Sequence, residues 1–240
     1  MRNDSNPQAD FPTTHWSRVA RAGDPTALAE LCAAYWYPIY ALIRRMGHTA
    51  AESADLTQDY FARLIEKGVV GSADQGKGRF RSFLRTDCGF FLADQHDRKR
   101  TIKRGGRLEL LSIDVSDAEG RYRFEPVDDG LTPDRLFDRA YALRLLDRVL
   151  GTVECEFVEA GNASLFHQLR FILTDGPGAV SYAAIASSLG KTEAAIQQAA
   201  SRLRKRYRAV LREQIAATLV DPTESAVDDE IRDLFSALGS

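Results

Sequence analysis

The side chains best suited to bind a partner are concentrated in two basic segments of this 240-residue chain. Residues 77–107 carry 10 basic and 3 acidic side chains, and residues 191–212 carry 7 basic side chains and a single acidic one. Acidic residues prevail between these segments and after residue 212, so the formal net charge is only −2. Two basic segments separated by an acidic one predict two separate contacts with a polyanion such as a nucleic acid.

The second basic segment belongs to a helix-turn-helix pattern across residues 180–196. A first helix of small and aliphatic residues, a turn at Gly190 and a second helix from Thr192 to about Thr218 would let two helices cross closely. Apolar residues at helical spacing from Ile196 to Leu211 predict the buried face of the second helix. The other face offers groups for base edges and phosphates, namely Gln197, Gln198, Ser201, Arg202, Arg204, Lys205 and Arg206. The alternative is a packed helical hairpin with a solvated basic face.

A second candidate contact lies in the motif Asp55-Leu56-Thr57-Gln58, which continues to Leu64 in a predicted helix. At 100° per residue, an apolar face forms from Ala54, Thr57, Phe61, Leu64 and Ile65. Leu56 falls on the opposite side among charged residues, so we expect it to be exposed. An isolated exposed leucine is ordinary, but charges around one are also typical of a small, mostly polar protein interface. Both interpretations stay open at this point.

Catalytic chemistry finds little support in the residue types and their spacing. The four histidines are scattered, and no pattern for a phosphate loop or a nucleophile is present. Asp94 and Asp97 could hold a metal, but on an arginine-rich helix we expect them to form ion pairs instead. The three cysteines are widely spaced, namely Cys32, Cys88 and Cys155. We expect them to be small buried residues of a protein in a reducing cytoplasm. We therefore expect no enzymatic activity, no catalytic residue, no metal and no cofactor.

All the elements that must position these residues are predicted to be helices. Thr49 and Glu52 form a capping-box pattern, and Thr132-Pro133 is a cap followed by a helix-starting proline. The helix after Pro133 is expected to turn leucines inward, with Leu136, Ala140, Leu143, Leu146 and Leu150 as its buried stripe. The fold class is all-α, with two small helical domains joined by an acidic linker. The predicted parts are an N-terminal extension at 1–22, a helical domain at 23–106, the linker at 107–131, a helix-turn-helix domain at 132–217 and an acidic C-terminal helix at 218–240.

Several motifs occur in an order and spacing that resemble a known family. Asp55-Leu56-Thr57-Gln58 is followed by Gly78-Arg79-Phe80-Arg81, a basic helix end and the helix-turn-helix. Phe11-Pro12-Thr13-Thr14-His15-Trp16, Asp97-Arg98 and Thr132-Pro133 accompany them. From about residue 11 to 215, the chain resembles bacterial RNA polymerase sigma factors of the extracytoplasmic-function group, in particular the planctomycete-type subgroup. It departs from many members by having Gly89-Phe90-Phe91 where they have an asparagine in the third helix.

This resemblance implies a sigma factor that directs core RNA polymerase to promoters and assists opening of the −10 element. It implies polymerase contacts on the β′ clamp through Asp55, Leu56, Gln58, Asp59 and Arg63. It implies contacts with −10 DNA through Lys77, Arg79, Arg81, Arg98, Lys99 and Arg100. It implies contacts with −35 DNA through Thr192, Gln197, Gln198, Ser201, Arg202 and Lys205. The alternative function is a stand-alone helix-turn-helix transcription regulator. A nuclease would also use basic segments but would need a carboxylate or histidine cluster.

The C-terminal tail carries a further pattern, in which Val227, Ile231, Leu234, Phe235 and Leu238 recur at helical spacing between acidic residues. One interpretation is an additional helix of the C-terminal domain. The other is an inhibitor that lies over a DNA-binding surface in the free protein. The expected partners are thus core RNA polymerase, promoter DNA and an inhibitor, either an anti-sigma factor or the tail itself. No membrane partner is expected, because no stretch approaches the length of a membrane span.

Overall fold

The computed structural model describes residues 25–66, 80–99, 115–124, 132–174, 181–219 and 221–239, and every regular element within these ranges is an α-helix. The predicted all-α class is therefore confirmed for this part of the chain. The helices are α1 (Pro25–Arg45), α2 (Ala50–Glu66), α3 (Phe80–Lys99), α4 (Val115–Phe124), α5 (Pro133–Glu159), α6 (Ala163–Leu169), α7 (Phe171–Thr174), α8 (Tyr182–Leu189), α9 (Glu193–Ala216) and α10 (Glu224–Leu238). None of them combines the length and the apolar character that crossing a bilayer would require.

Side-chain caps start the helices where the sequence predicts them. The Glu52 amide donates to Oγ1 of Thr49 at 3.3 Å, and the Thr49 amide donates to Oε2 of Glu52 at 3.0 Å. This reciprocal pair is the predicted capping box, and it satisfies amides that the first turn of α2 leaves without helical partners. At the start of α5, the Arg135 amide donates to Oγ1 of Thr132 at 3.4 Å. Both predicted helix starts are confirmed.

The described residues form two compact units. The first contains those up to Arg144 together with those from Ile215 onwards, and the second contains Leu145–Gln214. Both divisions fall inside a helix, α5 and α9, whereas the sequence placed the division in an acidic linker at 107–131. Within that stretch, α4 is a helix of the first unit. It is held there because Arg44 donates to both carboxylate oxygens of Glu119 at 3.0 Å.

Aromatic residues form much of the core of the first unit. The Tyr35 ring stacks on Tyr141 at 4.8 Å between centroids and meets the ring of Phe80 edge-on at 5.3 Å. The Tyr60 hydroxyl donates to the carbonyl oxygen of Leu84 at 3.0 Å, so this buried polar group is satisfied. These contacts fix α1, α2, α3 and the first part of α5 against one another.

The predicted buried stripe of α5 is wrong at most positions. The helix buries residues spaced four apart, and Leu136, Leu143, Leu146 and Leu150 are only half-buried. The fully buried positions along α5 include Phe137, Ala140, Tyr141, Leu145, Val149 and Val153. The aromatic side chains determine which face of α5 is buried, because the ring of Tyr141 stacks on the ring of Tyr35 in the core.

Candidate nucleic-acid interface

Three local interactions build the two helices and the turn of the predicted helix-turn-helix segment in the second unit. Ser181 caps α8 by accepting a hydrogen bond from the Ala184 amide at 3.3 Å. Gly190 then adopts a φ of 60° and a ψ of 35°, a left-handed conformation that favours glycine, and ends the helix. Thr192 caps α9 by accepting from the Ala195 amide at 3.2 Å. The connection between the two helices is therefore only Gly190, Lys191 and Thr192, with the turn at Gly190 that the sequence predicts.

The two faces of α9 match the predicted pattern. Its buried positions include Ile196, Ala199, Ala200, Leu203, Val210 and Leu211, and Tyr207 is half-buried. The six residues of the predicted −35 contact are all exposed, namely the cap residue Thr192 and Gln197, Gln198, Ser201, Arg202 and Lys205 on the helix. A core packed on one face fixes the backbone, so these six side chains project from a rigid support.

The exposed face of α9 keeps most of its hydrogen-bonding capacity unused. In the described part of the chain, the side chains of Gln198, Ser201, Arg202 and Lys205 make neither a hydrogen bond nor an ion pair. Gln197 donates to Oε1 of Glu193 at 3.3 Å. An amide and a hydroxyl beside two cations can pair with base edges and phosphate oxygens at once.

Two other arginines of the same basic segment are engaged within the unit. Arg204 donates to the Tyr182 hydroxyl at 3.2 Å, which ties α9 to α8. Arg206 donates to both carboxylate oxygens of Glu156, at 2.7 and 2.8 Å, and to Glu213 at 3.2 Å. The bond from Arg206 lowers the pKa of Glu156, and the bond to Glu156 raises the pKa of Arg206. The expectation that these two arginines hold phosphates therefore does not fit this conformation.

Leu56 is buried, which corrects the prediction that it is exposed. Only 6% of its surface is accessible, and with Met46 and Leu92 it lines a groove of about 360 Å³. The prediction from the helical wheel is wrong because α2 buries a wide face, on which Ser53, Tyr60 and Leu56 join the predicted apolar residues.

The other predicted polymerase contacts differ in their exposure to solvent. Asp55 and Asp59 are exposed, whereas Gln58 and Arg63 are half-buried. Arg63 donates to Oδ1 of Asp87 at 3.3 Å.

Arg81 is the predicted −10 contact whose side chain the structure describes, and it is 5% exposed. Its Nε donates to Oε1 of Glu230 at 2.7 Å, and its Nη1 donates to Oδ1 of Asp138 at 2.6 Å. In this conformation Arg81 faces two carboxylates, so the expectation that it is presented to DNA does not fit. Burial alone would lower the pKa of Arg81, but the charges of Glu230 and Asp138 raise it. Lys77, Arg79 and Arg100 lie outside the described residues, as do the side chains of Arg98 and Lys99.

Sequence reasoning missed the carboxylates that bind Arg81. Glu230 lies three residues after Val227 and four before Leu234, the two buried apolar residues of α10. An acidic residue at a position of the apolar stripe is a sequence signal for a buried ion pair, because a lone buried charge is too costly.

The three cysteines differ in their exposure to solvent. Cys32 and Cys88 are buried as predicted, and burial raises their pKa to about 11 and about 12. Cys155 is exposed, which corrects the expectation of burial, because α5 turns that position away from Val149 and Val153. Within the described ranges, no three residues among His, Cys, Asp and Glu are grouped closely enough to hold a metal ion.

Comparisons with known proteins give no relative for this chain. No family model matches it, and neither the curated proteins nor the solved structures include a significant match.

Proposed function

We propose that this protein is a sigma-type transcription initiation factor that directs core RNA polymerase to promoters. The observation that carries the DNA-binding part is the exposed face of α9, where Gln198 and Ser201 lie beside Arg202 and Lys205. A second helix of a helix-turn-helix enters the major groove, where side-chain amides can read bases and cations hold phosphates. In this proposal, α9 and its cap residue read the −35 element through Thr192, Gln197, Gln198, Ser201, Arg202 and Lys205.

The polymerase part of the proposal rests on the order of motifs that resembles the extracytoplasmic-function sigma factors. Asp55 and Asp59 are exposed on α2 and offer negative charge to a partner surface. Because Leu56 is buried, the contact with the β′ clamp is formed by the polar residues Asp55, Gln58, Asp59 and Arg63. Opening of the −10 element is assigned to the basic segment around α3, with Lys77, Arg79, Arg98, Lys99 and Arg100, and with Arg81 in a conformation that frees it from Glu230 and Asp138. The protein acts in the cytoplasm by binding alone, without a cofactor.

A stand-alone helix-turn-helix regulator is the competing function, and the burial of Leu56 favours it. A protein that never meets polymerase needs no apolar docking residue on α2, and only 6% of Leu56 is accessible. Such a regulator would use the same α9 face for DNA.

A pull-down with purified core RNA polymerase separates the two functions. We expect the wild-type chain to be retained, Asp59→Arg to lose retention, and Asp94→Arg to keep it. Asp94 is the matched control because it is an exposed aspartate on α3 that undergoes the same charge reversal. Equal loss in both variants, or no retention of the wild type, would favour the stand-alone regulator.

Selection of bound sequences from a random duplex pool tests the DNA-binding part. The wild-type chain should enrich one motif, and Gln198→Ala should relax it at one base position. Gln214→Ala is the control, since this residue lies near the far end of the same helix, away from the predicted −35 residues. Failure to enrich any motif would contradict the assignment of α9.

A further inference from the structure

The carboxylate cluster around Arg81 joins three distant parts of the chain within the first unit. Glu230 comes from α10, and Asp138 and Asp134 come from α5. Besides the bonds to Arg81, Arg85 lies 3.2 Å from Oδ2 of Asp138 and 3.4 Å from Oδ1 of Asp134. Among the described residues, the cluster therefore brings three carboxylates against two guanidinium groups.

The deepest contact of the cluster is the pair between Arg81 and Glu230. The side chain of Arg81 is 6% exposed and that of Glu230 is 2% exposed. A pair this deep loses most of its hydration, and it is tolerated only when the geometry satisfies both charges. A second bond, from Nη2 of Arg81 to Oε2 of Glu230 at 3.3 Å, makes the pair bidentate. The position of α10 is thus specified by charge recognition in addition to its apolar residues.

The helix that provides Glu230 is strongly acidic overall. Between Glu224 and Leu238, five acidic residues face a single basic one, Arg232. Only Val227, Glu230 and Leu234 are buried, so the anchoring face is narrow. A short helix held by so few buried residues can detach by local opening, without unfolding of the rest of the unit.

We propose that α10 is an intramolecular mask that withholds Arg81 from DNA. The inference rests on the proposed function, because it takes the segment around α3 to be a DNA contact. A carboxylate and a phosphate bind a guanidinium in the same bidentate manner, so Glu230 occupies Arg81 as a phosphate would. DNA that engages this segment competes with α10 and releases it.

The test measures DNA affinity of Glu230→Gln, with Asp229→Asn as the matched control. Both changes remove one negative charge from α10, but the side chain of Asp229 is 50% exposed and pairs locally with Arg232 at 2.9 Å. All proteins carry Arg202→Ala and Lys205→Ala, so that α9 contributes little. The probe is a fluorescein-labelled single-stranded DNA of mixed sequence, about 20 nucleotides long, followed by anisotropy.

Glu230→Gln should bind this probe about fivefold more tightly than the Asp229→Asn control at about 50 mM salt. The gain should shrink to less than about twofold at about 500 mM salt, where charges are screened. Adding Arg81→Gln should cancel the gain, because the released group is then absent. Equal affinity of the two variants, or a gain that survives Arg81→Gln, would overturn the mask.

Hydrogen exchange on the wild-type chain gives a second readout that does not depend on how Glu230→Gln folds. Addition of the same DNA should accelerate exchange of the amides in 224–238 if α10 is displaced. Unchanged or slower exchange there would overturn the mask. Failure of transcription with core polymerase, with the Glu230→Gln gain intact, would overturn the proposed function and leave the mask standing.

Discussion

The cations predicted to contact DNA have different partners in the two units of this protein. In the first unit, Arg81 and Arg44 are bound by carboxylates from residues far along the chain, Glu230 and Glu119. In the second unit, Arg202 and Lys205 are exposed, and among the described residues no carboxylate pairs with them. A basic segment in a sequence therefore indicates charge, but only the fold determines whether that charge can meet a ligand.

The contrast extends to stability, because a paired buried cation and an exposed cation have different costs of removal. Breaking a buried pair leaves an uncompensated charge in the interior. Removing an exposed cation changes only the electrostatic potential at the protein surface. This change weakens the binding of a polyanionic ligand but has little effect on the free energy of unfolding. The two classes of cation can be separated by measuring stability and DNA affinity on the same variants.

Replacing Arg81 should produce the largest loss of stability. We expect Arg81→Met to lower the free energy of unfolding of the first unit by about 3 kcal/mol, because Glu230 would stay buried without its partner. Urea titration monitored by fluorescence follows this unit, since Trp36 is buried within it. The matched change Arg202→Met should stay within about 0.5 kcal/mol of the wild type. Similar losses in both variants would remove the distinction between the units.

Truncation of Leu56 tests whether α2 presents an apolar docking residue or a core residue. Leu56→Ala should lower the free energy of unfolding by about 2 kcal/mol, through lost burial and the cavity left behind. Asp55→Ala, one position away and exposed, is the control and should have little effect. If Leu56→Ala kept full stability but lost retention by core polymerase, Leu56 would be a docking residue after all.

Gln198 should determine base preference on the exposed face of α9. We expect Gln198→Ala to reduce discrimination at one base position by roughly 1–3 kcal/mol. Lys205→Ala should weaken binding to all sequences about equally, because a phosphate contact carries no sequence information. Competition binding with single-base variants of the selected motif measures both. Equal loss of preference from the two changes would contradict this division between base and phosphate contacts.

The salt dependence of DNA binding should distinguish the exposed cations from the engaged ones within α9 itself. Arg202→Ala should reduce the slope of log affinity against log salt by about 1, as expected for one lost phosphate contact. Arg206→Ala should leave the slope unchanged, because Arg206 already pairs with Glu156. A reduced slope in the Arg206 variant would mean that this arginine leaves Glu156 to bind DNA.

The pair between Arg206 and Glu156 should give the smallest effect, a weak dependence of stability on acid. The pKa of Glu156 is lowered from 4.5 in the folded state, so the pair stabilises the second unit above that value. This contribution should disappear as pH falls below 4.5 towards the folded pKa. Because both side chains are partly exposed, it should stay below about 1 kcal/mol. Thermal unfolding of Glu156→Gln should lack this acid-dependent component, and an unchanged pH profile would contradict it.

Local chemistry made much of the fold predictable from the sequence. The capping box at Thr49, the glycine turn at Gly190 and the buried stripe of α9 depend on neighbours within a few residues. The six predicted −35 residues are exposed for the same reason, since burial of one face of a helix leaves the opposite face outward.

Predictions from the sequence were wrong or incomplete where contacts join segments that are distant along the chain. Leu56 was placed on a solvent-facing side because a helical wheel shows one helix and not the neighbours that pack against both its sides. The role of Arg81 was missed because its partner Glu230 is 149 residues away along the chain. No periodicity argument connects two such positions, although the acidic residue in the apolar stripe of α10 marks one of them.

In vitro transcription on a genomic fragment library with purified core RNA polymerase tests the central claim most directly. With the wild-type protein, a subset of fragments should give transcripts that core polymerase alone does not make, and a double change of Gln198 and Arg202 to alanine should abolish them. The Gln214→Ala control should transcribe the same fragments as the wild type. The same transcripts from core polymerase with and without the protein would contradict the assignment of this chain as a sigma factor.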